Sequence, residues 1–140
     1  MRFKILSPGC KANRSDARRL AVLLNAAGWQ EVSGADKADT AILFGCVVTG
    51  TAETKSRRAL AALIRTSART VVVGCTGRWW DEGEGWETCS GREAEQLAGL
   101  LGLQVETSPP AFSTEERSRV VVKVQEGCPA ACSYCIVPIV

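Results

Sequence analysis

Three segments of this chain run from an apolar stretch into a Gly-Cys pair, and that rhythm restricts the possible folds more than any other feature. Residues 3–6 read as a short strand that turns through Ser7-Pro8 into Gly9-Cys10. Residues 41–44 are a continuous apolar run ending in Gly45-Cys46, and residues 70–73 are a third run, ending in Gly74-Cys75. Between the runs the apolar spacing becomes helical. Leu20, Val22, Leu23, Leu24 and Ala27 give a first helix its apolar face, with Asn13 or Ser15 as cap and Gly28 as its end. Residues 51–67 give a second through Ala52, Leu60, Leu63 and Ile64, with Thr49 or Thr51 as cap and Glu53 complementing the amino-terminal dipole. Strands that are apolar along their length are buried on both faces. Their alternation with helices predicts an α/β domain, a parallel sheet covered by helices.

In such sheets ligands gather beyond the carboxyl ends of the strands. Cys10, Cys46 and Cys75 each lie just past a strand, so all three are expected at one edge of the sheet. Each taken alone reads as a small buried hydrophobe at a strand end. Their shared position, with Gly before every one, points to a three-thiolate site, and both readings stand at this point. Cys89 lacks the strand context and reads as a non-ligand.

A second group, Cys128, Cys132 and Cys135, follows the spacing C-x3-C-x2-C. A [4Fe–4S] cluster normally takes four thiolates, so three leave one iron open to a substrate or cofactor. Gly127 permits a tight loop, and Tyr134 and Ile136 are placed to lie against a bound nucleoside. A structural zinc is the alternative, but it needs a fourth ligand from Cys89 or another distant cysteine. The ferredoxin run C-x2-C-x2-C-x3-C is missing. Seven cysteines and no histidine argue against zinc fingers and His-ligated catalytic zinc, and an odd count with three cysteines in eight residues suits a disulfide framework poorly.

At 140 residues the chain is the size of one domain. No apolar run approaches the ~20 residues that span a bilayer, and the opening Met1-Arg2-Phe3-Lys4 leads into too short an apolar stretch for a signal peptide. A cytoplasmic protein without membrane contact is expected. Residues 81–91 are acidic and Gly-rich, 93–101 read as a helix, 103–106 as a weak strand, 107–118 as a linker, and 120–124 as a strand feeding the Cys128 loop. The expected organisation is a domain at 1–106, the linker 107–118, and the start of a second domain at 119–140. A β/α barrel needs ~200 residues or more, so only the first strand and loop of one fit here, and the chain reads as a fragment.

Residues 1–80 carry 13 Lys/Arg against 5 Asp/Glu, whereas residues 81–140 carry 4 against 10. Arg14, Arg18 and Arg19 with Arg57, Arg58, Arg65 and Arg69 read as a basic face for RNA phosphates, or equally as solvated helix faces. Trp79 and Trp80 read as base-stacking residues, or as one core residue and one cover. Residues 45–56 are no P-loop, because Thr51 rather than Lys follows Gly50.

Gly9-Cys10-Lys11-Ala12-Asn13, Cys46-Val47-Val48-Thr49 with Lys55-Ser56-Arg57, Gly74-Cys75, and Gln125-Glu126-Gly127-Cys128 through Cys135-Ile136-Val137-Pro138 together resemble a radical S-adenosylmethionine methylthiotransferase. The most similar branch modifies N6-threonylcarbamoyladenosine beside the tRNA anticodon. The resemblance covers the whole chain and implies two [4Fe–4S] clusters. Cys128, Cys132 and Cys135 would hold the one that cleaves S-adenosylmethionine to a 5′-deoxyadenosyl radical, as the first loop of a truncated radical SAM β/α barrel. Cys10, Cys46 and Cys75 would hold an auxiliary cluster that delivers sulfur. Tyr134 and Ile136 would flank S-adenosylmethionine, Asn13 would support rather than ligate, and no side chain is singled out as catalytic. The implied partners are a tRNA anticodon stem-loop and an electron donor such as flavodoxin or ferredoxin. Alternatives are a relative acting on isopentenyladenosine tRNA or on a ribosomal protein Asp, and a non-enzymatic metal or sulfur-carrier module. One departure stands out: where the family commonly has Asn-Thr-Cys, this chain has Phe44-Gly45-Cys46, losing two polar side chains beside the auxiliary site. The isolated chain is not expected to turn over.

Overall fold

The computed structural model describes residues 1–90, 94–103 and 123–140. The elements are β1 (Arg2–Leu6), α1 (Lys11–Ala26), β2 (Gln30–Glu31), β3 (Ala38–Gly45), α2 (Gly50–Thr66), β4 (Ser67–Gly74), α3 (Cys75–Trp79), β5 (Glu87–Thr88) and α4 (Ala94–Leu100). The strands form one parallel sheet in the order β2-β1-β3-β4-β5. This is the α/β architecture that the alternating pattern predicts.

Period-two alternation divides the sheet's side chains between two cores. Ile42 and Phe44 of β3 with Val71 and Val73 of β4 pack against Leu20 and Leu24 of α1 and Leu97 of α4. The intervening Ala41, Leu43 and Val72 pack against Leu60 and Leu63 of α2. Both faces are therefore dry, which explains why these strands are apolar throughout. Each fully buried Leu, Ile or Phe contributes roughly 1.5–3 kcal/mol.

Helix α1 starts earlier than its sequence signals indicate. Its N-cap is Cys10, which makes no side-chain cap bond, rather than Asn13 or Ser15. Cap-type residues at those positions lie inside the helix, and Asn13 is buried. The end is as expected, with Gly28 at φ 81° just beyond Ala27. Thr49 caps α2, its Oγ1 accepting from the Ala52 amide at 3.2 Å. Thr49→Ala should therefore lower stability by about 1 kcal/mol in urea unfolding, with no change in far-ultraviolet dichroism at zero denaturant.

Strand β4 starts at Ser67, three residues before the apolar run, because pairing with β3 extends down to Ala38↔Ser67. The two-residue strands β2 and β5 and the short α3 carry no recognisable period. Helix α4 matches the expected one from Ala94 onwards. The linker at 107–118, most of the weak strand at 103–106 and most of the strand at 120–124 lie outside the described residues. Leu103, Lys123 and Val124 have no strand pairing. Among the described residues no helix is long and apolar enough to cross a membrane.

Candidate functional site

Strand register brings the three Gly-Cys turns together. Gly45 pairs with Gly74 across β3 and β4, so Cys46 and Cys75 leave adjacent strands at the same level. Leu6, the last residue of β1, pairs with Leu43 on the other side of β3, and Cys10 follows four residues later. All three cysteines thus lie at the carboxyl edge of three neighbouring strands, where the sequence pattern puts them. Exposure differs among them: Cys10 is exposed, Cys75 half-buried and Cys46 buried.

The turns meet on Asn13. Its Nδ2 donates to Gly45 O at 2.8 Å in a buried bond that spans 32 residues. A Cβ on Gly9 would come to 2.5 Å of that Nδ2 and 3.3 Å of the Cys46 Cβ, and one on Gly74 would reach 3.2 Å from Asn13 Oδ1. Gly74 also sits at φ 72°, which L side chains rarely adopt. The glycine before each cysteine is therefore a packing requirement, since the turns close around one amide with no room for side chains.

Two further residues fix the turns, and the sequence reading gave neither a role. Ser56, fully buried on α2, accepts from the Cys46 amide at 2.9 Å, and its hydroxyl lies 3.1 Å from Cys46 O and 2.9 Å from Ala52 O. Both backbone groups of Cys46 are thereby engaged by one side chain. Thr76, also fully buried, donates to Val73 O at 2.8 Å, and its Oγ1 stands 2.3 Å from where a Gly45 Cβ would be. Space left beside Gly45 is filled by Thr76 of the next turn, which accounts for a glycine in the motif position where a larger polar residue is common.

Among the described residues no three His, Cys, Asp or Glu side chains are gathered into a metal-binding group. What the fold brings together is the three turns, and their donor set fits an iron–sulfur cluster: thiols only, in a chain without histidine. In the β1–α1 turn, Ser7 Oγ is buried without a hydrogen-bond partner among the described residues, a polar atom three residues from Cys10.

In the second group, Cys128 and Cys135 are half-buried and Cys132 is exposed. The loop folds on itself through the Cys135 amide to Cys132 O at 3.1 Å, with Gly127 at φ 66°. Tyr134 is 90 % exposed, and Ile136 is half-buried. Cys89 packs against the α1 side of the core, its amide bonded to Val72 O.

The single basic face is not formed. Helices α1 and α2 cover opposite faces of the sheet, which separates Arg14, Arg18 and Arg19 from Arg57, Arg58 and Arg65. Arg19 pairs with Glu95, Arg57 with Glu53 and Arg69 with Glu87. Arg57 also lies 4.7 Å over the Trp80 ring, and its hydrogen bonds hold Glu53 below the usual carboxylate range. Trp80 packs edge-on to Trp86 on the α2 core while Trp79 is 48 % exposed, the core-and-cover arrangement.

The chain is similar to the threonylcarbamoyladenosine tRNA methylthiotransferase MtaB of Chlamydia pneumoniae, 34 % identical over 97 % of this chain and 35 % of that protein. It is also similar to the tRNA-2-methylthio-N(6)-dimethylallyladenosine synthase of Sorangium cellulosum, 31 % identical over 98 % of this chain and 34 % of the relative. A ribosomal protein uS12 methylthiotransferase RimO, from Gloeobacter violaceus, is 26 % identical over 93 % of this chain and 35 % of its own length. The chain spans about a third of the length of these curated relatives. Residues 2–83, which include all three Gly-Cys turns and Asn13, match the family described as uncharacterized protein family UPF0004. The chain belongs to that family, the amino-terminal domain of the methylthiotransferases.

Proposed function

We propose that this chain supplies the amino-terminal domain and first cluster loop of a cytoplasmic tRNA methylthiotransferase that modifies C2 of N6-threonylcarbamoyladenosine next to the anticodon. The observation that carries this reading is the meeting of the Cys10, Cys46 and Cys75 turns at one sheet edge around Asn13. Those three thiols would hold an auxiliary [4Fe–4S] cluster, and Cys128, Cys132 and Cys135 a second that binds S-adenosylmethionine, with Tyr134 and Ile136 against its nucleoside. When bound, the clusters supply an electron for cleavage of S-adenosylmethionine and sulfur for transfer, drawing on flavodoxin or ferredoxin as donor. The chain's own part is to place the thiols: Asn13 and Ser56 fix the turns, and buried Cys46 keeps one thiol away from water. The buried Ser7 hydroxyl, without a partner among the described residues, supports a loop completed by a ligand. Organisation as 1–106, a linker at 107–118 and a radical SAM segment from 119 follows the same reading.

The 34 % identity to the threonylcarbamoyladenosine enzyme favours that substrate, and the 31 % identity to the dimethylallyladenosine enzyme makes the latter the second reading. Under either reading the proposed partner is a tRNA anticodon stem-loop. Iron and acid-labile sulfide per chain, measured with zinc after anaerobic reconstitution, test the cofactor reading directly. About eight irons in the native chain, falling to about four in a Cys10→Ala/Cys46→Ala/Cys75→Ala variant, are expected for two [4Fe–4S] clusters. Four in both would make the amino-terminal cysteines packing residues. Zinc without iron would overturn the enzymatic reading in favour of a metal-binding module.

A further inference from the structure

Asp16 lies on the buried face of α1 beside Ala17 and Leu20, a costly position for a carboxylate unless a cation comes to it. The cation comes from 107 residues along the chain. Lys123 Nζ lies 2.9 Å from both Oδ1 and Oδ2 of Asp16, and the same ammonium pairs with Glu126. Only 12 % of the Asp16 side chain and 18 % of that of Lys123 are exposed, unlike the surface pairs of Arg2 or Arg69. Burial pushes the Asp16 carboxyl above its usual range, and the Lys123 hydrogen bond and charge only partly counter it.

The position of the pair in the chain gives it a use. Asp16 is six residues after Cys10, on the helix that Cys10 caps, and Lys123 is five residues before Cys128. We propose that Asp16, Lys123 and Glu126 form an electrostatic clamp that seats the Cys128–Cys135 loop against the amino-terminal half of α1, fixing one thiol group relative to the other. Lys123 bridges a carboxylate of the α/β domain and one of the loop itself. A pair with one buried member has a defined geometry: removing Lys123 leaves the Asp16 carboxylate desolvated without its bonded cation, and removing the Asp16 charge leaves Lys123 held by Glu126 of its own loop alone. Seating therefore depends on both charges together. That this relates two working clusters rests on the methylthiotransferase reading, but the docking does not.

Amide hydrogen exchange on the full chain, read by mass spectrometry, tests the clamp without iron. Peptides from residues 123–140 are compared in the native chain, Asp16→Asn, Lys123→Met and the double variant, with peptides from β3 and β4 as monitors of the fold. Each single change should speed exchange in 123–140 by roughly tenfold, and the double should be no faster than either single, because coupled residues are non-additive. Unchanged exchange in the singles, or effects that multiply in the double, would overturn the clamp. Should Asp16→Asn also loosen β3 and β4, Lys123→Met decides: faster exchange in 123–140 with β3 and β4 unchanged supports the clamp, and unchanged exchange in 123–140 overturns it. Coupling seen in a chain that binds no iron would keep the clamp and remove the cluster reading. Two reconstituted clusters without coupling would do the reverse.

Discussion

Gly77→Ala should destabilise the domain by about 3 kcal/mol, at the upper end of what one inserted methyl group usually costs a packed core. The new Cβ would fall 2.4 Å from Cys89 O and 2.7 Å from Val72 O. Neither oxygen can move aside cheaply, because Val72 O is the acceptor of the Cys89 amide at 2.9 Å, the bond that continues the β4–β5 edge. Relief must come from lifting α3 off the sheet, and α3 begins with Cys75. The variant should therefore shift its urea midpoint downwards at unchanged slope, and under the proposed function it should also lose iron from the amino-terminal site. Gly99 on α4 provides the opposite case. A Cβ there meets nothing within 4 Å, and the position is exposed. Gly99→Ala should raise stability by about 0.5–1 kcal/mol through helix propensity alone. Two identical chemical changes with effects of opposite sign separate the packing argument from any general effect of replacing glycine.

The sequence carries the sheet well where burial is two-sided. Residues 41–44 announce a strand because Ala41 and Leu43 face one core while Ile42 and Phe44 face the other. The edge strands Gln30–Glu31 and Glu87–Thr88 have no such signature, since two residues cannot display a period and their existence depends on what β1 and β4 offer them. Helix α1 shows how a correct residue type can mislead. Asn13 is a good cap by chemistry, yet its amide serves a carbonyl on β3 instead. Nor can one helix's sequence tell which face of the sheet it will cover, which is why seven arginines that read as a single basic face divide between two. For the site, the position of Cys10, Cys46 and Cys75 after three strands was legible, because parallel strands end at a common edge. The parts played by Ser56 and Thr76 were not, since each depends on a contact made only when α2 and α3 settle on the sheet.

Asn13→Ala should cost about 2–3 kcal/mol, because the buried Gly45 carbonyl loses its 2.8 Å donor and the three turns lose the group they close upon. Asn13→Asp distinguishes the hydrogen bond from the packing. The side chain keeps its shape, but an ionised Asp has no proton to donate and sets a charged oxygen against Gly45 O. Only a protonated Asp restores the bond, so its folded-state pKa would lie above the unfolded value. By linkage, the stability this contributes is present below the unfolded value and is lost as pH rises through the folded one. Stability measured relative to the native chain should therefore recover as pH falls, whereas the deficit of Asn13→Ala should not change with pH. An Asn13→Asp deficit near zero at all pH, beside a large one for Asn13→Ala, would show that volume rather than the donor holds the turns, and the glycines at 9, 45 and 74 would then be the principal determinants of the site.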